Sequence, residues 1–124
     1  MSGFEYERLC VDFFSVLGYK DVILTKSGAD QGIDLLAYKD GIDYGIQCKY
    51  YTNHVGNKAV QEAFAGSRFY GCEGSIVITN SVFTRQAIQL ADTLGVVLAE
   101  NATPEYMQHE IIRYERWLRR QNFF

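Results

Sequence analysis

The stretch that decides the fold is Ile33-Asp34-Leu35-Leu36-Ala37-Tyr38-Lys39-Asp40-Gly41-Ile42-Asp43-Tyr44-Gly45-Ile46-Gln47-Cys48-Lys49-Tyr50. Two β-prone runs flank Asp40-Gly41, a dipeptide that takes the left-handed backbone of a tight hairpin turn. Ile33 to Tyr38 reads as one strand and Asp43 to Tyr50 as its return. With Lys39 and Ile42 flanking the turn, the numbers of paired residues sum to 81, so Asp34 falls opposite Gln47 and Gly32 opposite Lys49. Opposed residues share a sheet face, and so do positions two apart on one strand. Asp34, Gln47 and Lys49 are therefore expected as one polar cluster, with Gly32 leaving room beside Lys49. A four-residue loop over 39–42 keeps this pairing, whereas a three-residue loop breaks it.

Outward from the hairpin, periodicity gives the remaining elements. Residues 3–17 read as a helix with Phe4, Leu9, Phe13, Phe14 and Leu17 apolar, Ser2 as N-cap and Gly18 as stop. Val22 to Thr25 is a short strand, and 27–32 a loop. After the hairpin come a helix over 57–70, a buried-type strand over 75–79, a helix over 83–94 closed by Gly95, a strand over 96–99 and a helix over 104–120. The order α-β-β-β-α-β-α-β-α predicts an α/β fold, a mixed central sheet with helices on both faces. A single domain over 1–124 is expected, with its core at about 4–100 and a C-terminal helix over 104–120.

Composition narrows the function. Hydrophobic residues make up 48% of the 124, enough for a packed core, and the net charge is −3. That charge counts against a basic nucleic-acid coat, so a phosphate site has to be local and helped by metal. Cys10, Cys48 and Cys72 are scattered and odd in number, which argues against a disulfide framework or a zinc cluster. No apolar run of signal-peptide or membrane-spanning type is present, so a cytoplasmic protein with no membrane partner is expected.

A carboxylate and an amide oxygen beside an ammonium group suit a hard cation such as magnesium acting on a phosphate. The spacing alone fits a plainer reading better: Asp34 opening a strand, Gln47 half-buried, Lys49 a solvated edge charge. Glu7 lies near the apolar face of the first helix, where a carboxylate wants a partner, and it equally suits a helix start through the dipole.

The wider strings change the weighting. Residues 28–41, from Gly28-Ala29-Asp30 to Lys39-Asp40-Gly41, followed by Gln47-Cys48-Lys49-Tyr50, resemble the Mrr-type restriction endonuclease family of the PD-(D/E)xK nuclease superfamily. The likeness extends to Leu17-Gly18-Tyr19, to residues 55–62 and to residues 79–84, and so spans roughly 6–100. It implies a restriction-endonuclease-like core with the hairpin carrying the site. Asp34 matches the metal-binding aspartate, Gln47 the second acidic position (typically glutamine in this family), and Lys49 the catalytic lysine. Glu7 matches a first-helix glutamate that completes such sites. The backbone carbonyl of Cys48 matches a frequent metal ligand. Asp30 matches a frequent loop aspartate, while Gln31 stands where many members have glycine.

The resemblance implies a metal-dependent DNA endonuclease of restriction or DNA-processing type, using Mg2+ with Mn2+ as a substitute. The alternatives are a Holliday-junction or RNA-directed nuclease of the same fold, or a non-catalytic nucleic-acid-binding subunit. Lys58, Gln61, His54 and Ser81 are candidates for nucleic-acid contact. The plainer roles are ordinary surface for Lys58, Gln61 and His54, and helix capping around Ser81 and Thr84. Such families usually carry a separate DNA-reading domain, and none is visible here, so a recognition subunit is a candidate partner. The last helix, with Arg113, Arg116, Arg119, Arg120 and Trp117, is read first as packing on the sheet and second as a homodimer surface, with contact to DNA as the third alternative. Two sites, one per protomer, would cut both strands of a duplex.

Overall fold

The computed structural model describes residues 1–25 and 32–121. The loop assigned to 27–32, with Asp30 and Gln31, and the Phe123-Phe124 tail thus lie mostly or wholly outside the described residues. Nine elements follow in order: α1 (Gly3–Val16), β1 (Lys20–Leu24), β2 (Leu35–Lys39), β3 (Ile42–Lys49), α2 (Asn57–Phe69), β4 (Gly74–Thr79), α3 (Arg85–Leu94), β5 (Val97–Ala99) and α4 (Pro104–Gln121). This is the expected α/β order. The strands lie in the order β1-β2-β3-β4-β5, with β1, β2 and β3 antiparallel and β3, β4 and β5 parallel. No helix of the described residues is long and apolar enough to cross a membrane.

Local chemistry accounts for the element ends. Ser2 and Glu5 form a reciprocal capping box on α1, which satisfies two N–H groups that the helix cannot pair internally. The hairpin turns on Asp40 and Gly41, with φ of 52° and 86°, both in the left-handed region. Lys39 pairs with Ile42 and Leu35 with Ile46, the expected register. Helix α3 starts two residues later than periodicity suggests, because Thr84 accepts from the Ala87 N–H and caps it. Phe83 instead bridges to Val55.

Two apolar clusters sandwich the sheet. Tyr6, Cys10, Phe13 and Phe14 of α1 and Met107 of α4 meet Leu35, Ala37, Ile46, Cys48, Ile76 and Ile78 on one face. Val60 and Ala63 of α2 and Ala87 and Ala91 of α3 meet Val77 and Ile33 on the other. Each fully buried aliphatic side chain of this kind contributes about 1.5–3 kcal/mol. The buried stripe of α1 is rotated from the expected one. Phe4 and Leu17 are exposed, while Tyr6 is fully buried and donates its hydroxyl to the Ala102 carbonyl at 2.8 Å. That bond is what lets a phenol replace a phenylalanine in the core.

Helix α2 lies close on β3 because residue 45 is glycine. A Cβ there would stand 2.5 Å from Ser67 Oγ and 3.2 Å from its Cα. This close approach brings the first turns of α2 over the C-terminal end of β3, where the polar residues gather.

Candidate active site

The start of β2 and the end of β3 lie at one end of the sheet, so Asp34, Gln47, Cys48 and Lys49 come together there. The backbone of Asp34 is held from both sides. Its N–H donates to the Ile46 carbonyl at 2.8 Å, and its carbonyl accepts from the Thr25 N–H at 2.9 Å. The ladder ends at Leu35–Ile46, so Asp34 is not a paired strand residue opposite Gln47. Its carboxylate instead takes the place of a backbone acceptor: Oδ2 accepts the Cys48 N–H at 2.8 Å.

Asp34 and Glu7 of α1 face each other closely enough that each carboxyl acts on the protonation of the other. Burial pushes the Glu7 carboxyl up to about 7, and the neighbouring Asp34 charge and hydrogen bond add to this. Asp34 is also raised by burial, against the lowering pull of the Cys48 N–H, the Lys49 ammonium and the Glu7 bond. Two half-buried carboxyls brought together each disfavour the charge of the other.

On the α2 side of β3 a second group forms. The Gln47 Nε2 donates to the Gly32 carbonyl at 2.9 Å and to Glu62 Oε1 at 3.4 Å. The same Glu62 Oε1 lies 3.9 Å from Lys49 Nζ. Lys49 also lies 3.4 Å from the Tyr51 hydroxyl. The two acceptors at Nε2 fix which end of the amide is nitrogen. Gln47 Oε1 is left without a hydrogen-bond partner, on a residue only 3% exposed.

The restriction endonuclease family model Mrr_cat matches residues 1–103. This chain belongs to the Mrr_cat family. An uncharacterised protein of Archaeoglobus fulgidus is 27% identical over 97 residues, which cover 74% of this chain and 56% of that protein. The chain thus spans little more than half the length of the curated relative it matches. Among solved structures, the DNA modification-dependent restriction endonuclease AspBHI matches with a TM-score of 0.62 at 21% identity, over 93% of this chain and 34% of that one. The MspJI restriction endonuclease, in complex with a 27-mer oligonucleotide, matches with 0.66 at 18% identity, over 94% of this chain and 31% of that one. At these identities the two structures show the fold, which is that of restriction endonucleases.

Within this Mrr_cat chain the structure sorts the expected residues. Glu7, Asp34 and the Cys48 backbone meet on one side, and Gln47 and Lys49 on the other, linked by the action of Lys49 on Asp34. Alternation along β3 explains the split, since the Cys48 side chain is buried with Cys10 in the α1 cluster. Lys58 lines a depression of about 160 Å³ together with Lys49, Tyr51, Gly56 and Glu62. His54 and Gln61 are exposed and do not line it. Ser81 is bonded within its own turn, its N–H donating to Thr79 Oγ1 at 3.1 Å, and the cap of α3 is Thr84.

Sequence reasoning assigned no role to Glu62 or Asn80. Asn80 accepts from the Tyr51 N–H at 2.7 Å and donates to its carbonyl at 2.8 Å, which pins the strand just beyond Lys49. Glu62 joins the site through the packing of α2 at Gly45. The one local signal for it is its place in the first turns of the helix that follows the Lys49 strand.

Among the described residues no three His, Cys, Asp or Glu side chains form a metal cluster. A cation site here has to be built from Glu7, Asp34 and neutral oxygens. The orphaned Gln47 Oε1 is a neutral oxygen of that kind, since a buried acceptor without a partner calls for a donor or a cation.

Proposed function

We propose that this chain is a metal-dependent DNA endonuclease domain that hydrolyses phosphodiester bonds with Mg2+ as its cofactor, or Mn2+ in its place. The observation that carries the reading is Asp34, whose carboxylate is held by the Cys48 N–H at the end of β3 with Glu7 and Lys49 acting on it. Asp34, Gln47 and the Cys48 carbonyl would hold the cation, with Glu7 completing the site. The metal supplies Lewis-acid polarisation of the scissile phosphate.

The chain's own groups do the rest. The Cys48 N–H orients the Asp34 carboxylate by a bond to Oδ2. The Lys49 ammonium stabilises the charge that develops on the phosphate oxygens as water attacks phosphorus in line and the 3′ oxygen departs. Tyr51 and Glu62 limit the rotamers of Lys49. Lys58, across the small depression, offers a second cation to the phosphate backbone.

The test is nicking of supercoiled plasmid DNA with magnesium. Wild-type protein is expected to cut, and Lys49→Ala to cut at least about 100-fold more slowly. Equal activity of the two proteins, purified side by side, would remove the assignment.

A further inference from the structure

Helix α4 is divided in its environment. Its first half is anchored: Met107 is fully buried, and the Tyr106 ring meets Phe13 edge-on with centroids 6.0 Å apart. From Ile112 to Gln121 every residue but the half-buried Leu118 is exposed. This segment lies outside residues 1–103, which the family model matches.

Its charge opposes that of the rest of the chain. Residues 112–121 hold Arg113, Arg116, Arg119 and Arg120 against Glu115 alone, while the other residues hold eight basic against fourteen acidic side chains. Arg113 is taken by Glu110 at 2.9 Å. Among the described residues Arg116, Arg119 and Arg120 have no carboxylate within ion-pair distance. Between them Trp117 stacks on Tyr114, with centroids 5.8 Å apart, and both rings are open to solvent.

We propose that the distal half of α4 is a docking surface for the backbone of duplex DNA. Two observations choose the occupant. Self-pairing through this face would bring like-charged segments together, each with an excess of three positive charges. A polyanion removes that repulsion and releases counterions. A helix with its basic side chains exposed also fits a B-form major groove, about 12 Å wide, whereas the major groove of A-form RNA is too narrow to admit side chains.

The position separates this surface from the cutting site. Tyr114, Trp117 and Arg120 line a groove with Val16 and Leu17 at the C-terminal end of α1. Glu7 lies about 15 Å back along that helix. The docking surface is therefore separated by about 15 Å from the Glu7 end of the proposed cutting site. The choice of DNA as partner rests on the nuclease reading, but the surface uses none of its residues.

The test is binding of a short labelled DNA duplex in EDTA, so that no cleavage occurs. Trp117 is the single tryptophan of the chain, so its emission reports this surface alone. DNA is expected to quench it. The triple variant Arg116→Gln, Arg119→Gln, Arg120→Gln is expected to bind at least about tenfold more weakly, with a salt dependence shallower by about two to three. Lysine at the same three positions should restore the slope, which separates lost charge from a lost fold. Unchanged affinity and slope in the glutamine variant would overturn the proposal. So would Trp117 emission that follows protein concentration and dimer formation rather than DNA. Wild-type protein that binds as expected yet never nicks plasmid with magnesium would overturn the nuclease reading and leave this surface standing.

Discussion

Two glutamates reach the same end of the sheet from helices on opposite faces, and they meet opposite company. Glu7 of α1 meets the Asp34 carboxyl, and Glu62 of α2 meets the Lys49 ammonium and the Gln47 amide. The Glu62 group is electrically balanced by its own residues. The Glu7 group is not, and burial makes the imbalance costly. On the proposed reading the cation acts at the Glu7–Asp34 pair together with Gln47, and Glu62 positions Lys49 and the Gln47 amide.

The largest effect that can break this comparison is at Asp34. Asp34→Asn is expected to weaken magnesium binding by at least about 100-fold in a calorimetric titration, since even outer partners of metal ligands are worth about 10–100-fold. Equal affinity in wild type and variant would put the ion elsewhere.

Gly32 comes next. Its φ is 74°, and a Cβ there would stand 3.0 Å from Glu62 Cβ and 3.3 Å from Gln47 Nε2. Gly32→Ala combines left-handed strain of about 1–2 kcal/mol with displacement of the Gln47 amide. Thermal unfolding is expected about 4 °C or more below wild type. An unchanged midpoint would show that the α2 group tolerates movement.

The pH response sharpens the α1 side. Glu7 is raised from its ordinary 4.5 to about 7, so its contribution to folding is complete below 4.5 and is lost as pH rises through about 7. In EDTA the melting temperature is expected to fall over that window because of Glu7. Glu7→Gln is expected to flatten the fall, and magnesium to raise the midpoint more at pH 8 than at pH 5. The same slope in wild type and variant would assign the titration to another group.

The smallest effect is at Glu62. The Lys49–Glu62 contact is partly exposed at 3.9 Å, and such pairs are worth about 0–1 kcal/mol. Glu62→Gln is expected to slow plasmid nicking by no more than about fivefold and to leave magnesium affinity unchanged. A loss as large as that of Asp34→Asn would make Glu62 a ligand and erase the distinction between the two faces.

The order of the nine elements among the described residues was legible because each rests on a local signal. Asp40-Gly41 set the hairpin register, Gly95 in left-handed conformation ended α3, and Ser2 began α1. What was not legible depended on contacts distant in sequence. Tyr6 is core because the Ala102 carbonyl waits for its hydroxyl, which no periodicity reveals. Asp34 leaves the ladder because Thr25 and Ile46 hold its backbone. Glu62 needs the close approach of α2 at Gly45. The nearness of Gln47 and Lys49 followed from strand alternation alone, whereas their relation to Glu7 required the placement of α1 on the sheet.

Cys48 sits between Gln47 and Lys49, and its thiol is sealed in the apolar cluster with Cys10. The central strand is thus bolted into the interior by the very residue that separates two polar neighbours. Gln47 and Lys49 cannot drift without opening that seam, so the site has the rigidity of the whole domain and not of a surface loop. A thiol reagent should reach Cys48 only as fast as the molecule unfolds globally.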